Sequence, residues 1–204
     1  MNALLLIDLQ YDFMPGGALA VKHGDEVVSV ANELMPRFGL VVASQDWHPS
    51  DHASFASQHP GKKPGDVIQL DGLEQTLWPD HCVQGSHGAE LHAELDVERI
   101  ARVIHKGTDK RVDSYSAFFD NARRRATGLE AYLRGKGVEA VYLMGLATDY
   151  CVKFSALDAA ELGFRTSVYK QGCRGIDLQP GDVDKAWEAM QQGGATLLDA
   201  LDTP

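Results

Sequence analysis

The chain is short of several things, and each shortage excludes something. It has three cysteines in 204 residues, Cys82, Cys151 and Cys173. The number is odd and the spacing wide, which excludes a disulfide framework and argues for reduced thiols in a reducing compartment. A chain of this length can bury roughly 70% of its unfolded surface, so it needs no such staples. No Cys-x-x-Cys pair occurs, which argues against thiol-redox work. No apolar run approaches the ~20 residues of a membrane span. The opening Met1-Asn-Ala-Leu-Leu-Leu-Ile-Asp8 lacks the basic start of a signal peptide, so a cytoplasmic location is expected. Basic residues are outnumbered, 19 against 29 acidic, for a formal charge of -10. A nucleic-acid partner wants a basic footprint and is disfavoured. The one basic run, Arg123-Arg124-Arg125, reads as a solvated helix face. No internal repeat or low-complexity tract breaks the chain, and a single domain over 1–204 is expected at this length.

What is present is an alternation of short apolar runs with helical patterns. Strands are expected at Ala3–Asp8, Leu40–Ser44, Arg102–His105, Ala140–Met144, Arg165–Tyr169 and Ala195–Leu198. Helices are expected at His23–Phe38, near Thr127–Gly135, at Thr148–Leu162 and at Gly181–Gln192. Continuous apolar strands between helices mean a parallel sheet covered on both faces. With right-handed crossovers the fold is α/β, a three-layer αβα sandwich around a central, mostly parallel six-stranded sheet. Residues 45–99 interrupt the alternation. They are rich in His, Pro, Gly and Trp, and read as an insertion that binds a ligand or acts as a lid.

The segment Val141-Tyr-Leu-Met-Gly-Leu-Ala-Thr-Asp-Tyr-Cys-Val152 carries the sharpest chemical signal. It reads as a buried strand, a break at Gly145, and a cysteine on the first turn of a helix. A helix N-terminus favours a thiolate and can cradle an oxyanion. The bland alternative is an inert buried thiol. In open α/β sheets, ligands sit beyond the carboxyl ends of the strands. Asp8 ends the first strand, Lys106 follows the third and Cys151 follows the fourth, so the three share one rim. A thiol, a carboxylate and an ammonium together suit nucleophilic acyl chemistry. The backbone N–H groups of Ala147 and Cys151 are candidates for the oxyanion hole.

Asp46-Trp-His48, if extended, puts Asp46 and His48 on one side of the chain. His81, in Trp78-Pro-Asp-His-Cys82, can return to the same place through the long loop. One carboxylate and two imidazoles suit a divalent transition ion with positions left open. Eight histidines on an acidic chain can equally bind nothing. His52 is a further ligand or a partner to one. Cys82 is read as a core or loop residue rather than a ligand. Phe13, Trp78, Tyr115 and Tyr150 each lie near a chemical segment, and together could wall a flat apolar pocket.

Three segments now coincide: Leu5-Leu-Ile-Asp-Leu-Gln-Tyr-Asp-Phe13, Ser44-Gln-Asp-Trp-His48 with Trp78-Pro-Asp-His-Cys-Val83, and Gly145-Leu-Ala-Thr-Asp-Tyr-Cys-Val152. In this order and spacing the chain resembles the nicotinamidases (pyrazinamidases) of the isochorismatase-like cysteine hydrolase superfamily. The likeness runs over nearly the whole chain and includes Gly16-Gly-Ala-Leu-Ala-Val21 and Asp113-Ser-Tyr-Ser-Ala-Phe118. The resemblance implies Asp8 as general base and acid, Lys106 as the stabiliser of the ion pair and Cys151 as the nucleophile. It implies one divalent ion on Asp46, His48 and His81, with zinc first and iron or manganese as alternatives. It implies a cis Leu146–Ala147 peptide, and a substrate pocket of Phe13, Leu19, Trp78, Tyr115, Ala147 and Tyr150. Tyr150 stands where some members have histidine. The implied reaction hydrolyses nicotinamide to nicotinate and ammonia through a thioester, feeding NAD salvage, with pyrazinamide as a second substrate. Metal-free carbamoyl or ureido amidohydrolases are the alternative within enzymes, and a non-catalytic nicotinamide-binding protein the alternative outside them. A homo-oligomer is left open.

Overall fold

The structure is a computed structural model that describes residues 1–201. Six strands form its central sheet: β1 (Asn2–Ile7), β2 (Val41–Asp46), β5 (Arg102–Lys106), β6 (Ala140–Leu146), β7 (Arg165–Arg174) and β8 (Thr196–Leu198). Their spatial order is β5-β2-β1-β6-β7-β8, and every neighbouring pair is parallel. Strands β1 and β6 are almost wholly apolar because helices flank the sheet and leave neither face wet. In β1, Leu4, Leu5, Leu6 and Ile7 are all buried. The edge strand β5 alternates instead: Ile104 and Lys106 are buried, whereas Arg102, Val103 and His105 are exposed.

The helices are α1 (Glu26–Leu34), α2 (Leu129–Gly135), α3 (Lys153–Glu161) and α4 (Asp182–Gln192). From β1 the chain moves outward to β2 and β5. From β6 it moves the opposite way, to β7 and β8. Right-handed crossovers then place α1 on one face and α2, α3 and α4 on the other, which makes three layers. The direction of winding reverses between β1 and β6, and a crevice opens at the carboxyl ends of strands where that happens. Asp8 follows β1, and Ala147 to Cys151 follow β6. Asp46 and Lys106 are the last residues of β2 and β5.

Several boundaries differ from the sequence reading, each for a local reason. The first helix starts at Glu26, because His23 takes a left-handed φ of 59°. Gly145 does not end its strand: β6 slips register with β7 between Leu143 and Gly145 and continues to Leu146. The expected helix over Thr148–Leu162 divides into a wide π-type turn at Thr148–Val152 followed by α3. Strand β7 runs ten residues, twice the expected length. Arg123-Arg124-Arg125 lies on a turn, not a helix. Arg123 has φ 53° and reaches Asp158 and Glu161 at 3.2 and 2.7 Å.

The long segment between β2 and β5 carries a separate hairpin, β3 (Val67–Leu70) with β4 (Leu73–Thr76). Its turn is Asp71-Gly72 with φ 50° and 84°, the dipeptide that a tight primed turn requires. The rest is short turns, tied to the sheet by single bridges and side chains. Gln10 is the main tie: its amide donates to the carbonyls of Asp46 and Ala89 at 2.8 and 2.9 Å and accepts from Asp46 N–H at 2.8 Å. Among the described residues no helix is long and apolar enough to cross a membrane.

Candidate active site

Lys106 is the hub of the site. Its side chain is wholly buried, and its ammonium touches four groups. Nζ lies 2.9 Å from Asp8 Oδ2 and donates to Asp46 Oδ1 at 2.5 Å, to the Ser114 carbonyl at 2.9 Å and to Cys151 Sγ at 3.3 Å. The structure therefore brings Asp8, Lys106 and Cys151 together. Burial alone would strip the proton from Lys106, but Asp46 and Asp8 outweigh it and hold its pKa well above the usual range. For Asp46, likewise, burial is overcome by Lys106 and His48, and its carboxyl stays well below the usual range.

Asp8 and Cys151 lean the other way. Burial raises the Asp8 carboxyl despite the opposing Lys106 charge. Burial also pushes the Cys151 thiol well up, and Lys106 only partly offsets it. Desolvation thus outweighs the lysine. Asp8 Oδ1 accepts from Ser44 Oγ at 2.6 Å. Oδ2 has the ionic contact with Lys106 but no hydrogen bond. A buried carboxylate oxygen with free capacity beside a neutral thiol can take that thiol's proton.

Next to this group, donor atoms of Asp46, His48 and His81 lie within 4.8 Å of one another. Asp46 Oδ2 is 3.7 Å from His48 Nε2 and 3.8 Å from His81 Nε2. Backbone carbonyls orient both rings. His48 Nδ1–H donates to Gly107 O at 2.9 Å and His81 Nδ1–H to Pro79 O at 2.8 Å. Each ring thus turns its Nε2 toward Asp46, the usual orientation of imidazoles that hold a metal. Gly107 permits the first contact: it has φ 64°, and a Cβ there would fall 2.3 Å from His48 Cε1.

His52 packs on His48 with ring centroids 4.3 Å apart, and burial lowers its pKa to about 4. Its Nδ1 lies 2.7 Å from Ser54 Oγ and 3.2 Å from Ser54 N, and its Nε2 has no hydrogen-bond partner. His52 also groups with His48 and Asp113, whose donor atoms lie within 4.8 Å of one another. Cys82 is fully buried. Its N–H donates to Asp12 Oδ2 at 2.7 Å, and it serves the loop.

A pocket opens onto Cys151, Asp46 and His81. All six expected wall residues line it: Phe13, Leu19, Trp78, Tyr115, Ala147 and Tyr150. Trp78 meets Tyr150 edge-on at 4.8 Å, and Tyr115 meets Tyr150 at 5.3 Å. The Tyr115 hydroxyl accepts from Trp78 Nε1 at 3.2 Å, which turns the polar atoms of both rings toward each other. The Leu146–Ala147 peptide is cis.

Asp113 and Ile176 also line this pocket, and neither was singled out in the sequence. Asp113 is buried, accepts from Gln75 at 3.1 Å and lies 4.0 Å from His48 Nε2. Ser44, beneath Asp8, was also missed. Its signal was a polar Ser-Gln-Asp ending on a buried strand. Ile176 had no signal, because it sits in a loop without periodicity.

Comparison with known proteins points the same way. The family model of the isochorismatase domain matches residues 2–202. The chain is 55% identical to the nicotinamidase of Escherichia coli (strain K12), over 98% of this chain and 96% of that protein. It superposes on an Acinetobacter baumanii nicotinamidase/pyrazinamidase structure with a TM-score of 0.94 at 45% identity, covering 97% and 95% of the two chains. A Pyrococcus horikoshii pyrazinamidase in complex with zinc matches with a TM-score of 0.79 at 36% identity, covering 98% and 99%.

Proposed function

This chain belongs to the isochorismatase family, and from that premise we propose that its site hydrolyses nicotinamide to nicotinate and ammonia through a thioester on Cys151. The observation that carries this reading is the single cavity in which Cys151 opens between aromatic walls and two metal-competent groups, with Lys106 bonded behind it. The nicotinamidase relatives support the substrate. The convergence of Asp46, His48 and His81 on one point disfavours a metal-free carbamoyl or ureido hydrolase. The nucleophile beside the buried Asp8 carboxylate disfavours a mere binder.

Asp8 Oδ2 takes the thiol proton as Cys151 Sγ bonds to the carboxamide carbon. Lys106, 3.3 Å from Sγ, stabilises the charge that develops on sulfur. The N–H groups of Ala147 and Cys151 receive the oxyanion. Asp8 then returns the proton to the amine, and ammonia leaves a thioester behind. A water loses its proton to Asp8 and attacks the thioester. Nicotinate departs, and Asp8 restores the thiol. The chemistry is covalent catalysis in two acyl transfers.

Asp46 Oδ2, His48 Nε2 and His81 Nε2 would hold one divalent ion, which supplies a Lewis-acidic anchor for the pyridine nitrogen. Ligand type and the zinc-bound relative favour zinc over iron or manganese. Phe13, Leu19, Trp78, Tyr115 and Tyr150 hold the ring flat. Pyrazinamide keeps a nitrogen in the matching place and is a second substrate. We read residues 1–204 as one domain, with 45–99 as its metal-binding and lid insertion. We place it in the cytoplasm, where nicotinate would enter NAD salvage.

Ammonia release from nicotinamide tests the reading. Cys151→Ala lowers it by about 10⁴-fold or more, and Asp8→Ala by roughly 10²- to 10⁴-fold, with unchanged circular dichroism. A fully active Cys151→Ala protein ends the mechanism.

A further inference from the structure

We propose that Asp149 clamps Ile176 against the nucleophile turn, and that this clamp sets how large a ring the pocket admits beside Cys151. Asp149 is then a positioning residue and Ile176 a specificity-determining one. The inference rests on the nicotinamide reading above and extends it to substrate selection.

Asp149 lies two residues before Cys151 in the π-type turn and is buried. Its carboxylate does not face the pocket. Oδ1 accepts from Ile176 N–H at 2.9 Å, and Oδ2 accepts from Asp177 N–H at 2.8 Å. Two successive peptide N–H groups thus converge on one carboxylate. The left-handed φ of 53° at Asp177 fits the alternating backbone that makes such an anion-binding concavity. Both bonds are charge-assisted, roughly twice the strength of neutral ones. Gly175 completes the approach, since a Cβ there would lie 3.0 Å from Asp149 Oδ1 and 2.2 Å from Val183 Cγ2.

The loop held in this way follows β7, far in sequence from the nucleophile. Its Ile176 side chain nevertheless lines the same pocket as Ala147 and Cys151. One carboxylate therefore sets the distance between the attacking sulfur and a wall of the pocket. An apolar wall discriminates by size: one methyl or methylene in such a pocket changes specificity roughly 10- to 200-fold. With Ile176 clamped, the pocket favours a bare pyridine or pyrazine carboxamide over a ring that carries an added methyl.

The test is the ratio of kcat/KM for each of the four C-methylnicotinamides to that for nicotinamide. In Ile176→Ala the ratio rises about tenfold or more for at least one methyl position, while nicotinamide loses activity chiefly through KM. Asp149→Asn moves the same ratio in the same direction, because it keeps one acceptor and loses the charge. The double variant goes no further than the more affected single one, since both act through one contact. Gly175→Ala, which presses on the same carboxylate, repeats the shift if Asp149→Asn folds poorly. Ratios that stay within twofold for all four methyl positions in Ile176→Ala overturn the proposal. So does an Asp149→Asn effect that is equal on every substrate and additive with Ile176→Ala. Calorimetric Kd ratios for the same amides, measured with and without Ile176→Ala in Cys151→Ala protein, decide the question without turnover. A wild-type protein that releases no ammonia from nicotinamide defeats the functional reading. The clamp fails separately, when turnover is intact and the ratios do not move.

Discussion

At the scale of single residues, the site is a contest between burial and charge, and the winner differs from group to group. Lys106 keeps its proton because two carboxylates face it. Cys151 keeps its proton because one ammonium cannot offset full desolvation and two nearby carboxylates. The sequence could name these residues, but could not weigh them, since desolvation depends on packing from every side. The weighing has a kinetic consequence. Asp8 must be ionised to accept the thiol proton, and burial raises its pKa above the ordinary 3.8. Activity is therefore present above the raised pKa and falls as pH drops through it, by about tenfold per unit. The thiol titrates well above its ordinary 9.0, so its ionisation produces no alkaline fall up to about pH 9. A pH profile of kcat/KM for nicotinamide on metal-saturated enzyme checks both limbs. An acid limb at or below the ordinary carboxylate value contradicts this account.

At the scale of elements, the ends of strands do the positioning. Residues at the carboxyl ends of β1, β2, β5 and β6 carry Asp8, Asp46, Lys106 and Cys151, and this much was legible, because strand ends follow from where apolar runs stop. The turn after β5 was not. Gly107 supplies both the carbonyl that orients His48 and the room for its ring. Gly107→Ala strains a left-handed φ and displaces that ring, so metal affinity drops by roughly 10- to 100-fold. Elemental analysis after chelator competition measures the loss, and unchanged retention of metal opposes it. Other elements were missed because their signals were weak or misleading. The Asp71-Gly72 turn was a readable hairpin signal inside a loop-like composition. The second half of β7, through Gln171-Gly172-Cys173-Arg174, is too polar to read as a buried strand. The π-type turn at Thr148–Val152 has no periodicity to distinguish it from the helix that follows.

At the scale of the whole molecule, the proposed metal donors join two parts of the fold. Asp46 and His48 belong to the end of β2, whereas His81 returns from the far side of the β3–β4 hairpin. An ion shared among them would tie the 47–101 segment to the sheet. A ligand that binds only the folded state stabilises it, by about 2.7 kcal/mol at a hundredfold excess over its Kd. Chelation should therefore lower Tm by several degrees and increase proteolysis within the long segment. In His81→Ala, chelator should no longer change Tm. An identical chelator shift in wild type and His81→Ala places the ion elsewhere.

The amino-acid order by itself determined the α/β alternation, the strands whose ends bear chemistry, and which thiol, carboxylates, lysine and histidines are able to act there. Those follow from local facts: where apolar runs begin and end, and which side chains can act. Only the tertiary structure decided the direction in which burial moves the thiol, the carbonyls that orient His48 and His81, and the bonds from Asp149 to the loop of Ile176. Each of these depends on contacts between segments far apart in the chain, where desolvation and hydrogen-bond direction are set by neighbours that no local window contains.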